Sequence, residues 1–269
     1  MIDLNSVSLP RRIDFYRSST PVAIIDGVSK MYDILKMPLR YVSRSLRYII
    51  RSEINSSWAH RDQDIQAGLQ RKALEETIDY VERNMPGVDS VTSSNELLSK
   101  GLSLVKGDGL ICEFGVFSGR SINHIASHVN TEVYGFDSFE GLPERWRDGY
   151  GQGFFKVDRL PKVSKNVVLI KGWFDKTLPD FVKSQSKAVA FLHIDCDLYS
   201  STKTIFDNLG EKIKPGCVIV FDEYFNYPGW KEGEIKAFHE FLETHHLKYE
   251  YIGYNAKHEQ AAVVIKAPA

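Results

Sequence analysis

The sequence has few cysteines, and their spacing does not suggest a structural scaffold. Its 269 residues contain three cysteines, Cys112, Cys196 and Cys217, with no C-x-x-C pair. The odd number and wide spacing argue against a disulfide framework or a thiolate zinc site. We therefore expect a protein of the reducing cytoplasm.

Long apolar runs and a strong charge excess are also lacking. No stretch approaches the roughly 20 apolar residues of a membrane-spanning helix, and residues 1–12 have no apolar core of a signal peptide. The formal net charge of -1 gives no argument for a nucleic-acid partner. With 43% hydrophobic residues, the chain can form a sizeable core.

The charge is unevenly distributed, which suggests two parts. The chain up to Lys72 has 12 Lys and Arg against 7 Asp and Glu, whereas the remainder is acidic. Four arginines of the segment 30–54 recur at helical spacing: Arg40, Arg44, Arg47 and Arg51. This basic helix could pack on the main domain or on a sister subunit, or make weak contact with an anionic membrane or glycan surface. We predict a helical N-terminal arm over 1–85 and a main domain over 86–269.

From Gly109 onward, strand-like and helix-like segments alternate. Seven apolar strand segments begin near residues 109, 132, 166, 188, 216, 248 and 260. This alternation predicts a mostly parallel α/β sheet, and the last two strands, which have no helix between them, an antiparallel hairpin. Four strands end in acids, and these would meet at one edge of the sheet, where ligands of such folds bind. The acids are Glu113, Asp137, Asp195 and the pair Asp222–Glu223.

A glycine turn follows the first of these strands. In "CEFGVFSGRS" (112–121), an acid and two glycines precede a predicted helix. Glycines allow close approach of the backbone to a ligand, and a helix N-terminus favours an anion. Asp137 ends the next strand, where its carboxylate can accept hydrogen bonds from a ribose. The dinucleotide pattern G-x-G-x-x-G is absent, which argues against a nicotinamide enzyme.

Five ordered motifs carry a family resemblance. They are "ICEFGVFSGRS", "YGFDSFEGLPE", "LIKGWFDKTLP", "LHIDCDLYSST" and "VIVFDEY". Together they resemble the macrocin O-methyltransferase family over about residues 92–266. The resemblance implies a class I methyltransferase fold (Rossmann-like), with a seven-stranded, mostly parallel sheet, helices on both faces and a C-terminal antiparallel hairpin. It also implies S-adenosylmethionine (SAM) as the cofactor, a divalent cation such as Mg²⁺, and a sugar hydroxyl as the acceptor.

The resemblance assigns cofactor contacts to individual residues. The glycine turn would lie under the methionine part of SAM, Asp137 would hold the ribose, and "GWF" (172–174) would border the adenine. The complete set expected at the cofactor is Glu113, Gly115, Gly119, Ser121, Asp137, Ser138, Gly172, Trp173, Phe174 and Asp195.

The same resemblance implies a metal site and a base. The metal ligands would be Asp195, Asp222 and Glu223, although the family usually has aspartate at the position of Glu223. Three carboxylates suit a hard octahedral cation. Asp197 is the expected general base, with His193 and His124 as alternatives.

Two other functions stay open at this stage. The "DCD" of residues 195–197 is also similar to the D-x-D of metal-dependent glycosyltransferases, and a non-catalytic nucleotide-binding protein is the second alternative. The loop 140–160, with Arg145, Trp146, Arg147 and Tyr150, is expected to close over a small-molecule or glycan acceptor. From the family and the apolar arm we expect a homodimer or a higher homo-oligomer.

Overall fold

The computed structural model of the protein describes residues 46–52 and 63–268. The chain divides into two compact units, Met1–Ile65 and Gln66–Ala269. Of the predicted basic helix, residues 46–52 are helical, and Arg40 and Arg44 lie outside the described residues. Within the described ranges, no helix has the length and apolar character needed to cross a bilayer.

The second unit contains one eight-stranded sheet. Its spatial order is β1-β7-β8-β6-β5-β2-β3-β4. Neighbouring strands are parallel except for β8, which runs antiparallel to both β6 and β7. The strands are β1 (Ser90–Val91), β2 (Leu110–Phe114), β3 (Val133–Asp137), β4 (Val167–Lys171), β5 (Val189–Ile194), β6 (Ile213–Phe221), β7 (Lys248–Asn255) and β8 (Ala261–Lys266).

All seven predicted strands are present, together with one that the sequence did not reveal. The additional strand, β1, has two residues, too few for a periodic pattern, and it pairs with β7. The predicted hairpin of β7 and β8 is antiparallel as expected. Because β1 covers β7, the hairpin does not form the outermost edge of the sheet.

Helices cover both faces of the sheet, as predicted. They are α1 (Ile65–Asn84), α2 (Ser94–Ser103), α3 (Arg120–Ser127), α4 (Phe174–Ser184), α5 (Tyr199–Leu209) and α6 (Glu234–Thr244). The buried side chains form two clusters, one containing residues of α4, α5 and α6 and the other residues of α2 and α3. The central strands are buried on both sides, which explains their nearly continuous apolar sequences.

The helix α1 belongs to the second unit by its contacts. The hydroxyl of Tyr80 lies 2.5 Å from that of Tyr251 in β7. The backbone N–H of Asn226 donates to the hydroxyl of Thr77 at 2.9 Å. The helix is thus part of the unit Gln66–Ala269, and the predicted division into an arm over 1–85 and a main domain over 86–269 stays a prediction.

The most restrictive glycine is Gly115, directly after β2. It has a φ of +93°, and a Cβ atom there would lie 1.6 Å from the carbonyl oxygen of Asp195. Only glycine allows this approach between the two backbones. Gly149 also has a positive φ, +83°, but open space surrounds it.

We expect Gly115→Ala to destabilise the fold much more than Gly149→Ala. Both variants place alanine at a left-handed position, which costs about 1–2 kcal/mol. Gly115→Ala adds a backbone clash that should cost about 1–3 kcal/mol or more. Urea unfolding of both variants measures the difference. Equal losses would show that the close approach is not a constraint.

Candidate active site

The register of the central strands brings the predicted acids to one edge. Phe114, Ile194 and Phe221 are aligned neighbours at the ends of β2, β5 and β6. The N–H of Asp195 donates to the carbonyl of Phe114 at 2.9 Å, and that of Asp222 to the carbonyl of Ile194 at 2.8 Å. The two aspartates therefore lie side by side, one strand apart.

The carboxylate of Asp137 holds the glycine turn. Its Oδ2 accepts the N–H groups of Val116 and Phe117 at 2.9 and 2.8 Å, and its Oδ1 accepts that of Phe139 at 2.6 Å. A carboxylate has about four acceptor positions, and these three bonds leave one for a ligand. The expected contact between Asp137 and a ribose therefore stays a prediction. The structure shows in addition that Asp137 organises the glycine turn.

The glycine turn ends at an uncapped helix. Gly119, with a φ of +79°, precedes α3, and no side chain in the described part of the chain caps this helix. The first N–H groups of α3 therefore receive no side-chain cap from the described residues. Such an end fits a carboxylate like that of the methionine part of SAM.

The predicted adenine border lies next to Asp137. The N–H of Gly172 donates to the carbonyl of Asp137 at 2.9 Å. Trp173 is 36% exposed, whereas Phe174 packs edge-on against Phe114 at 5.3 Å between ring centroids. Of the two rings, Trp173 is therefore the one that a ligand can reach. The buried hydroxyl of Ser138 is used by the adjoining turn, where it accepts the N–H of Glu140.

A group of three potential metal ligands lies at the ends of β5 and β6. His193, Asp195 and Asp222 each have one donor atom within 4.8 Å of those of the other two. Asp195 and Asp222 were expected in this site from the sequence. His193 was expected only as a possible base.

The third expected ligand, Glu223, is not a member of this group. Its side chain is buried, and Oε2 has no hydrogen-bond partner within the described part of the chain. Burial, together with the charges of Asp197 and Asp222, raises its pKa well above the usual value. Its place as a ligand stays a prediction.

Sequence reasoning missed Glu234, which begins α6 and is fully buried. Its Oε2 accepts the N–H of Glu223 at 3.3 Å. Burial raises the pKa of Glu234, followed by the charges of Asp197 and Asp222. An acid at the start of a helix is common, so the sequence contains no signal that separates Glu234 from ordinary surface acids.

Asp197 occupies a strained backbone position at the edge of a pocket. Its φ is +66°, and the N–H of Leu198 donates to the carbonyl of Cys196 at 2.7 Å, the pattern of a γ-turn. Such strain costs about 1–3 kcal/mol and is typical of functional sites. Burial and the charge of Asp222 raise the pKa of Asp197 to about 7, while Arg147 acts in the opposite direction.

The pocket beside Asp197 has a volume of about 280 Å³. Its wall includes part of the loop that was expected to meet the acceptor. Nη1 of Arg147 donates to both carboxylate oxygens of Glu259, at 2.9 and 3.0 Å, and its guanidinium lies 3.8 Å above the ring of Trp146. The pocket is lined by Glu144, Trp146, Arg147, Asp197, Leu198, Tyr199, Ser200, Tyr227, Pro228, Gly229, Glu232 and Gly233.

Arg145 of the loop and the base candidate His124 make contacts away from the pocket. Arg145 is exposed and pairs with Asp148 at 3.5 Å. A ring nitrogen of His124 lies 2.9 Å from the hydroxyl of Ser99 and 3.0 Å from the carbonyl of Asn95, both in α2. This contact explains His124 as a residue that joins two helices. Asp197 is the base candidate that lines the pocket.

Comparison with known proteins agrees with the resemblance found in the sequence. Residues 112–224 match a family described as a methyltransferase domain. An 8-demethyl-8-(2,3-dimethoxy-alpha-L-rhamnosyl)-tetracenomycin-C 4'-O-methyltransferase of Streptomyces olivaceus is 28% identical over 43% of this chain and 53% of its own length. A demethyldecarbamoylnovobiocin O-methyltransferase of Streptomyces niveus is 28% identical over 46% of this chain and 56% of its own. The solved structure of the O-methyltransferase NovP covers 64% of this chain and 79% of its own, with 22% identity and a TM-score of 0.49.

The chain spans about half the length of the curated relatives that it matches. The matched segment runs from β2 to just beyond β6 and includes both aspartates of the three-ligand group. Residues 112–224 are thus similar to a methyltransferase domain, and these matches confirm the resemblance to the macrocin O-methyltransferase-like family.

We expect the metal-free protein to lose stability as the pH rises from about 4 to about 7. The pKa of Asp197 is about 7 in the fold and about 3.9 in an unfolded chain. The folded state thus binds the proton of Asp197 more tightly than the unfolded state does. The resulting stabilisation is fully present below about pH 4, near the unfolded pKa, and is lost above about pH 7, near the folded pKa. One such group contributes a slope of up to about 1.4 kcal/mol per pH unit.

Thermal unfolding between these pH values, in buffer with a chelator, measures this slope. Asp197→Asn cannot ionise, so its melting temperature should fall less steeply than that of the wild type. Identical slopes in the two proteins would contradict the raised pKa.

Proposed function

We propose that this domain is a SAM- and divalent-cation-dependent O-methyltransferase that acts on a hydroxyl group of a sugar in a natural product or glycan. The observation that carries the proposal is the position of Asp197. This buried carboxylate lines an open pocket, two residues beyond Asp195 of the three-ligand group, within the segment that matches the methyltransferase family. The names of the relatives, which refer to a rhamnosyl-tetracenomycin and a novobiocin compound, support the acceptor class.

The cofactor side of the site is assigned to β2, β3 and β4. The uncapped N-terminus of α3 would receive the carboxylate of SAM, and the free acceptor position of Asp137 would receive a ribose hydroxyl. The exposed face of Trp173 offers a flat apolar surface for the adenine. When bound, SAM supplies a methyl group that its sulfonium already activates.

The acceptor side is assigned to the pocket and Asp197. A base must lie within hydrogen-bond reach of the acceptor hydroxyl, and its pKa should lie near the working pH. The pKa of Asp197, about 7, meets the second condition. Its carboxylate would take the hydroxyl proton as the methyl group is transferred, while the pocket walls hold the acceptor in line.

The donor set also fits a divalent cation. Asp195 and Asp222 would hold it, because their partly buried carboxylates lie close together and repel each other unless a positive charge compensates them. A bound cation would orient the acceptor hydroxyl and lower its pKa. The identity of the cation, Glu223 as a ligand, the homodimer and the cytoplasmic location stay predictions.

The pocket lining favours an uncharged or cationic acceptor. Glu144 and Asp197 contribute carboxylates that have no paired cation among the described residues. In contrast, Glu232 is paired with Lys236 at 2.7 Å, and Arg147 is paired with Glu259. A phosphorylated acceptor would meet the charges of Glu144 and Asp197 there. The rings of Trp146 and Tyr227 offer apolar surfaces on which a sugar ring can lie.

Asp197→Asn should abolish turnover and leave cofactor binding nearly unchanged. Asparagine keeps the shape of the side chain and tolerates a positive φ, but it cannot accept the proton. We expect a loss of roughly 100- to 10,000-fold in kcat, with affinity for S-adenosylhomocysteine unchanged in calorimetry. The exposed Asp180→Asn is the matched control, whereas Asp137→Ala should weaken cofactor binding. Full activity of Asp197→Asn would refute the base assignment.

Thermal shift separates the methyltransferase from its two rivals. S-adenosylhomocysteine at a hundredfold excess over its Kd should stabilise the protein by about 2.7 kcal/mol. UDP-glucose with Mg²⁺ should cause no shift. Stabilisation by UDP-glucose alone would instead support a glycosyltransferase. Binding of S-adenosylhomocysteine without turnover of any glycoside acceptor would favour a non-catalytic role.

A further inference from the structure

The three-ligand group contains a nitrogen donor, His193. The metal site predicted from the sequence consisted of carboxylates alone. Within the described part of the chain, this group consists of His193, Asp195 and Asp222. His193 is only 2% exposed, so its ring is buried in the interior of the domain.

We propose that His193 is the third protein ligand of the cation site, and that this site prefers a transition-metal dication such as Fe²⁺ or Zn²⁺ over Mg²⁺. This inference rests on the cation site of the proposed function. It does not depend on the transfer reaction, because metal binding can be measured without any acceptor.

The strand geometry places His193 and Asp195 together. Side chains two residues apart in a strand point to the same face of the sheet, so both point to the face opposite that of Ile194. Asp222 follows the neighbouring strand at the level of Asp195. Donor atoms bound to one metal at about 2.0–2.2 Å stand roughly 3–4 Å apart, and the observed limit of 4.8 Å is within a small side-chain adjustment of that spacing.

Glu113 orients the ring of His193. The two residues are directly opposite each other in β2 and β5, and Nδ1 of His193 shares a 2.8 Å hydrogen bond with Oε2 of Glu113. With Nδ1 engaged, Nε2 is the nitrogen left for a metal. A carboxylate behind a metal-binding histidine fixes its tautomer and orientation in many metal sites. Glu113, expected at the cofactor, would thus act on the metal through His193.

The donor types decide between cations. Mg²⁺ prefers oxygen ligands and water, and Mn²⁺ also accepts them readily, whereas imidazole nitrogen suits Fe²⁺ and Zn²⁺. One nitrogen and two carboxylates therefore favour Fe²⁺ or Zn²⁺ over Mg²⁺. Next to Asp222, Oε2 of Glu223 is buried and has no hydrogen-bond partner within the described part of the chain.

Electron paramagnetic resonance of the full-length protein loaded with Mn²⁺ alone tests the proposal. Electron spin echo modulation detects a ¹⁴N nucleus bound to the metal, and carboxylates contain no nitrogen. We expect imidazole nitrogen coupling in the wild type and its loss in His193→Asn. The amide nitrogen of asparagine can replace Nδ1 in the bond to Glu113, so this variant removes Nε2 while keeping the buried carboxylate paired.

Two further samples provide the controls. The exposed His128→Asn removes a histidine outside the group and should keep the coupling. Selective ¹⁵N labelling of histidine in the wild type should replace the ¹⁴N modulation, which tests the ligand without any variant if His193→Asn does not fold. In competition titrations, the wild type should bind Zn²⁺ at least about tenfold more tightly than Mg²⁺, and His193→Asn should lose most of this preference.

The outcomes separate this inference from the proposed function. Mn²⁺ binding without nitrogen coupling, or coupling that persists in His193→Asn, would overturn the ligand assignment and leave methyl transfer intact. Equal affinity for Zn²⁺ and Mg²⁺ would overturn the metal preference. Failure to bind either cation would overturn the cation site itself, while the response to S-adenosylhomocysteine tests the methyltransferase separately.

Discussion

Crowding of buried carboxylates at the ends of β5 and β6 is the electrostatic constraint around which the site is organised. Two like charges a few ångströms apart in a protein interior repel each other far more strongly than in water. Burial and mutual repulsion raise the pKa values of Asp195, Glu223 and Glu234 well above their usual range. Such a group must bind protons or a cation. This requirement determines what chemistry the edge of the sheet can carry out.

The carboxylates in and around this group have different partners. Glu113 is paired with His193 inside the sheet, and Glu259 with Arg147 at the pocket wall. Glu234 accepts a backbone N–H at the turn after β6. Asp197 stands apart from these pairs, held in a strained turn at the pocket. These positions support the proposed division between carboxylates that bind a cation and one that accepts a proton.

The sequence predicted the sheet well because its signals are local. Each strand from β2 to β8 has five or more residues, and the acids at the ends of β2, β3, β5 and β6 are visible in the same short stretches. The two-residue β1 has no such signal. His193 and Asp195 alternate in one short stretch, but all the ligands expected from the sequence were carboxylates, with Glu223 as the third.

Features that depend on tertiary contacts could not be predicted from the sequence. The helix α1 is attached through Thr77 and Tyr80, neither of which creates a pattern specific to this domain. Glu234 is buried because α6 begins against the turn after β6. The partner of Arg147 follows 112 residues later, and no spacing rule connects residues so far apart.

That separation also bears on the order in which the two halves of the site can form. Asp137 closes the glycine turn with Val116 and Phe117, only 21 and 20 residues away. The pocket wall requires Arg147 to meet Glu259 in the turn between β7 and β8. Short loops close at lower entropic cost than long ones. Partial unfolding that releases the hairpin of β7 and β8 would thus remove the pocket wall first, leaving a remnant in which Asp137 still closes the glycine turn.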